Sequence, residues 1–103
     1  MTEHAFEFSA PLWLYGGKAT WHFLTLPFDV TDQIDELTLE SKRGFGSVRV
    51  RVTIGASTWA TSIFPDNKRK SFVLPVKASV RKAEGLAVNG QCRVRLQLVD
   101  VGT

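Results

Sequence analysis

At 103 residues the chain has the size of one domain, and its 44% hydrophobic and 22% charged residues give a globular composition, outside the regime of disorder. Its apolar runs, such as Ala10 to Tyr15 and Phe72 to Val76, are interrupted by Pro or Gly and fall far short of the roughly 20 residues a membrane helix needs. The net charge of +3 is uneven, since residues 1–51 carry five Lys/Arg against seven Asp/Glu and residues 52–103 carry eight against three; a basic half suits a polyanion, yet solubility alone asks for a charge of this size.

The start, Met1-Thr2-Glu3-His4, lacks the basic stretch and apolar centre of a signal peptide, which points to the cytoplasm. The lone Cys92 agrees, because a single thiol cannot staple a secreted domain. Alternation by two then dominates the chain. Phe6, Phe8 and Ala10 alternate with Glu7 and Ser9, and the first strand is expected over 4–14. After a hairpin turn at Gly16-Gly17 comes a strand over 19–26. Val30, Ile34 and Leu37 are then spaced as one helix face, with Asp29 and Asp32 near its start, where negative charge suits the free N–H groups. Strands are expected at 46–54, 57–63 and 70–74, with turns at Gly55 and Pro65-Asp66-Asn67. A second short helix presents Val80 and Ala83, with Ser79 as its cap and Gly85 as its stop. The last strand covers 91–99, where Cys92 should face inward with Val94 and Leu96.

The halves repeat, about 4–54 and 55–101. Leu26-Pro27, a helix and Gly46-Ser47-Val48-Arg49-Val50-Arg51-Val52 match Leu74-Pro75, a helix and Gly90-Gln91-Cys92-Arg93-Val94-Arg95-Leu96. Each unit reads strand, strand, helix, strand. One such unit cannot cover its own apolar face, so two should close on each other. The expected fold is mainly β, a six-stranded barrel with two short helices.

Phe6-Glu7-Phe8 with Leu12-Trp13, Gly17-Lys18-Ala19-Thr20-Trp21 leading to Leu26-Pro27, Val50 to Ile54 with Gly55 and Trp59, and Leu74-Pro75-Val76-Lys77 with Val80-Arg81-Lys82-Ala83 together resemble a bacterial domain-of-unknown-function family. This is a small barrel often fused to a bacteriocin-protection (YdeI/OmpD-associated) domain. Each half also looks like the half-barrel of AbrB-type regulators, which implies a double-split barrel. The acidic residue usual after the glycine before the last strand is replaced, giving Asn89-Gly90-Gln91. The family carries no established activity, so the resemblance implies a fold and no catalytic residues.

Two constellations stand out. Arg49 and Arg51 share one strand face, Arg93 and Arg95 share the matching face of the repeat, and Lys77, Arg81 and Lys82 lie on the second helix; these seven suit phosphate contacts, although the outside of any small barrel must be polar. Lys18, Trp21, Lys77 and Arg81 belong to the resembling segments and could line a cleft between a helix and the barrel mouth. Trp13, Trp21 and Trp59 could stack on a base or sugar, but in so small a barrel Trp21 and Trp59 read better as core, with Trp13 left open. Ser79-Val80-Arg81-Lys82 fits S-x-x-K without its companion boxes, and Gly16-Gly17-Lys18-Ala19 lacks the spacing of a phosphate loop. His4, His22 and Cys92 offer no zinc spacing, and Asp29, Asp32, Asp35 and Glu36 read as solvated helix surface. No catalytic residue, metal or cofactor is assigned. The expectation is a non-enzymatic binding module with a protein or nucleic-acid partner, as monomer or homodimer; the alternative is an enzyme or small-anion binder using the cleft.

Overall fold

The computed structural model describes residues 4–16, 21–40 and 46–99. The alternation of the sequence becomes two faces of one antiparallel sheet. The elements follow as β1 (Ala5–Pro11), β2 (Trp13–Leu14), β3 (His22–Thr25), α1 (Phe28–Leu37), β4 (Val48–Ile54), β5 (Ser57–Asp66), β6 (Ser71–Pro75), α2 (Ala78–Glu84) and β7 (Gln91–Leu98). Among the described residues the sheet has seven strands in the order β1-β7-β4-β5-β6-β3-β2. β1 and β2 end that order on opposite sides, yet only Leu12 separates them in the chain. A sheet whose outermost strands are joined through one residue must curl, and it forms a half-barrel in which β1 comes near β3.

The strand expected over 4–14 is therefore two strands, and the count is seven, not six. The break lies at Pro11-Leu12. Pro11 is the last rung of β1, opposite Gln91. Leu12 then turns inward, fully buried, with its N–H on the Gly90 carbonyl at 3.0 Å and its own carbonyl taking the Asn89 N–H at 2.7 Å.

The concave side holds the core: Phe8 and Ala10, Val48 to Ile54 by twos, Cys92, Val94 and Leu96, with Leu24, Phe72 and Leu74 from the far strands. Burying each large aliphatic side chain contributes about 1.5–3 kcal/mol. Cys92 faces inward with Val94 and Leu96 as its register required, and burial pushes its thiol pKa up. α1 follows Pro27 and lays Val30 and Ile34 on this core, while Thr38 ends it with its hydroxyl on the Ile34 carbonyl at 2.7 Å. α2 adds Val80.

Three local expectations differ. Pro65 lies inside β5, not in a turn; it stands opposite Phe72, whose N–H reaches the Thr31 hydroxyl of α1 at 3.3 Å, and the turn falls at 67–70. Ser79 is within α2, whose N-cap is Lys77 with no side-chain cap bond, and Ala83 is exposed; the αL residue Gly85, with φ 63°, does end the helix. Trp59 packs half-buried against the core, but Trp21 is 55% exposed. Leu24 is the buried residue of β3, so alternation sends Trp21 and Phe23 to the other face.

Candidate functional site

β6 runs into α2 through Val76, whose N–H meets the His22 carbonyl of β3 at 2.9 Å. That contact sets the start of α2 beside β3 and across from the middle of β5. Between them lies a cleft of about 440 Å³ whose walls include Trp21, His22, Trp59, Thr61, Lys77 and Arg81. Arg81 is half-buried, with Nε donating to the Val76 carbonyl at 3.2 Å and Nη1 3.4 Å from His22 Nε2. A guanidinium only donates, so His22 presents an acceptor nitrogen to it. Among the described residues, the charged side chains of the cleft are the cations Lys77 and Arg81, and no carboxylate lines it. Three of the four residues expected in a cleft are thus brought together; Lys18 lies outside the described residues.

A second feature continues from Trp21. Trp13 and Phe23 are directly opposite across β2 and β3, and the Tyr15 N–H meets the Trp21 carbonyl at 2.9 Å, so four aromatic residues form two adjacent cross-strand pairs. Phe23 is their centre, with ring centroids 5.1 Å from Trp13, 6.3 Å from Tyr15 and 6.2 Å from Trp21, the last nearly parallel at 10°. The Trp13 indole N–H donates to the Thr25 hydroxyl at 2.9 Å, and the Arg69 guanidinium sits 3.7 Å over the Trp13 ring.

Arg69 is held there by Asp66. The Asp66 carboxylate accepts the N–H groups of Lys68 and Arg69 at 2.9 and 3.2 Å and pairs with the Arg69 guanidinium at 3.0 Å. Burial works to raise the Asp66 pKa, but the bonds from Arg69 and Lys68 together outweigh it and hold the carboxyl below its ordinary value.

Residues 8–96 match the model of a family described as Domain of unknown function (DUF1905). The chain belongs to this family. The match spans β1 to β7 and takes in both the cleft and the aromatic face. No curated protein matches the chain. Among the described residues of this DUF1905 domain, no three His, Cys, Asp or Glu side chains gather as a metal site, and no helix is long and apolar enough to cross a membrane.

The seven residues expected to bind a polyanion divide between two surfaces of the DUF1905 domain. Arg49 and Arg51 of β4 and Arg93 and Arg95 of β7 are exposed on the convex face, the side opposite Val48, Val50, Val94 and Leu96. Thr53 stands opposite Arg95 and Arg51 opposite Gln97, which lays the four arginines diagonally across two strands. Glu7 on neighbouring β1 pairs with Arg93 at 3.1 Å and Arg95 at 3.6 Å, so half of this set is already partnered. Arg81 and Lys82 stand on α2, which packs on the core side, and Lys77 is its N-cap; Lys82 is exposed and does not line the cleft. Sequence reasoning missed the aromatic face and Arg69. The signal for the first was present, since Trp13 and Tyr15, then Trp21 and Phe23, are spaced by two on either side of Gly16-Gly17, where the expected turn runs outside the described residues from Gly17 on.

Proposed function

We propose that the domain is a non-enzymatic binding module that holds a small anion bearing a planar group in the cleft between α2 and the barrel mouth. The observation that carries this reading is Arg81, a half-buried guanidinium pinned by Val76 and His22 in a cleft that Trp21, Trp59 and Lys77 also line, with no carboxylate there among the described residues. A planar guanidinium fixed in this way suits a phosphate or carboxylate, while Lys77 adds a point charge and the indoles offer walls for a ring. Calorimetric titration with AMP and with pyrophosphate tests it. Both should bind, AMP more tightly, and Arg81→Gln should weaken both about tenfold or more, the loss expected for a hydrogen bond to a charged group. Equal binding by the variant contradicts the reading.

A nucleic-acid partner at Arg49, Arg51, Arg93 and Arg95 is the weaker reading, because Glu7 offsets two of the four. The AbrB-like view of the fold has support in the strand order. The sets β1, β3, α1, β4 and β5, β6, α2, β7 share one sequence of element types. Exchanging β1 with β5, β3 with β6 and β4 with β7 preserves every neighbour among these six strands once β1 is set beside β3, and leaves only β2 without a mate.

A further inference from the structure

The cleft does not stand alone. It shares Trp21 with an apolar depression of about 260 Å³ walled by Tyr15, Trp21 and Phe23. That depression shares Tyr15 with a third, of about 430 Å³, lined by Trp13, Tyr15, Asp66, Lys68 and Arg69 among others. The three form one track with Lys77 and Arg81 at one end, aromatic rings in the middle, and Lys68 and Arg69 at the other. We infer that this track binds single-stranded nucleic acid, with bases stacked on Tyr15, Trp21 and Phe23 and phosphates met by the cations at both ends; the inference rests on the anion-binding reading of the cleft and extends it.

Two observations favour this occupant. Tyr15 and Trp21 are 52% and 55% exposed, although the same β2–β3 pairing could have carried small polar residues on its outer face. Cross-strand aromatic pairing stabilises so short a hairpin, but it does not require the rings to stay open to solvent. The charge is complementary: among the described residues Asp66 is the one acid lining any of the three depressions, and it is committed to Arg69. A neutral sugar has no use for cationic ends, and a duplex keeps its base faces stacked within itself. Alternating stacking surface and positive charge is what an unpaired strand offers partners for.

Fluorescence anisotropy of a labelled oligothymidine of about 12 nucleotides tests the inference against a duplex of the same length and against AMP. The single strand should bind more tightly than either, lose affinity as salt rises, and weaken about fivefold or more in Tyr15→Ala, the effect of losing one stacked base. Arg69→Gln, a change on an exposed turn that leaves the aromatic pairs in place, should weaken the strand but not AMP. A strand that binds no better than AMP, or that ignores both Tyr15→Ala and Arg69→Gln, overturns the track while AMP binding sensitive to Arg81→Gln keeps the cleft. Failure of both probes to bind overturns both.

Discussion

Asp66 shows how one side chain serves structure and surface together. Its carboxylate closes the 67–70 turn through two backbone N–H groups and, through the Arg69 guanidinium, sets a cation on the face of Trp13. Because its folded pKa lies below the unfolded value, its contribution to stability is present above the ordinary carboxylate range and is lost as pH falls through the folded pKa. Asp66→Asn should therefore be less stable than the wild type near neutral pH, and urea denaturation should show the gap closing as pH falls through and below the ordinary carboxylate range. A gap that stays constant with pH would show that the charge is not what stabilises the turn. The residues of the cleft were partly legible in the sequence: Trp21, Lys77 and Arg81 lie together, but only the fold shows that His22 and Val76 fix the guanidinium. Arg69 was not legible, since nothing in its neighbours points across to Trp13, 56 positions earlier in the chain.

At the scale of elements, α2 owes its place to both of its ends. Its first residues follow from the β6 ladder, and its last turn is tied to the β4–β5 hairpin by Glu84, whose carboxylate takes the Ser57 hydroxyl at 2.6 Å and the Ala56 N–H at 3.4 Å. Gly55 makes room for this. Its φ is +59°, and a Cβ there would run into the Glu84 carboxylate. Gly55→Ala should cost about 1–2 kcal/mol from the left-handed backbone alone, read as a lower urea midpoint with an unchanged slope. A stability equal to wild type would mean that neither the left-handed backbone nor the Glu84 carboxylate constrains position 55. The strands that carry the core were plain from their alternation, β4 and β7 above all. β2 was hidden because the alternation of Phe8, Ala10 and Leu12 runs straight to the break, and the pattern records which residues face inward without recording which strand is their neighbour. Pro65 misled for a related reason: a proline reads as a turn wherever its missing N–H would be needed, and here Phe72 opposite it sends its N–H to the Thr31 hydroxyl and takes the Leu26 N–H on its carbonyl at 3.0 Å, so no ladder bond from Pro65 is required.

At the scale of the molecule, the curl of the sheet makes the site. Joining the outermost strands through Leu12 brings β2 and β3 round, so that the aromatic face lies beside the cleft formed by the β6–α2 junction and the middle of β5, the two sharing Trp21. That curl is a long-range property; the repeat expected from the sequence pointed to a barrel where the sheet is a curled half-barrel, and the position of Trp21 on its outside depended on the register of a four-residue strand. The convex arginine face is the competing surface, and the two are far enough apart in sequence and structure to be told apart by one spectrum. The most direct measurement is a 1H–15N correlation titration with AMP, in which each of the three tryptophans gives one indole signal. The indole signals of Trp21 and Trp59 and the amides of Lys77 and Arg81 should move together while that of Trp13 stays. Shifts confined to the amides of Arg49, Arg51, Arg93 and Arg95, or no shifts at all, would contradict the assignment of the cleft as the binding site.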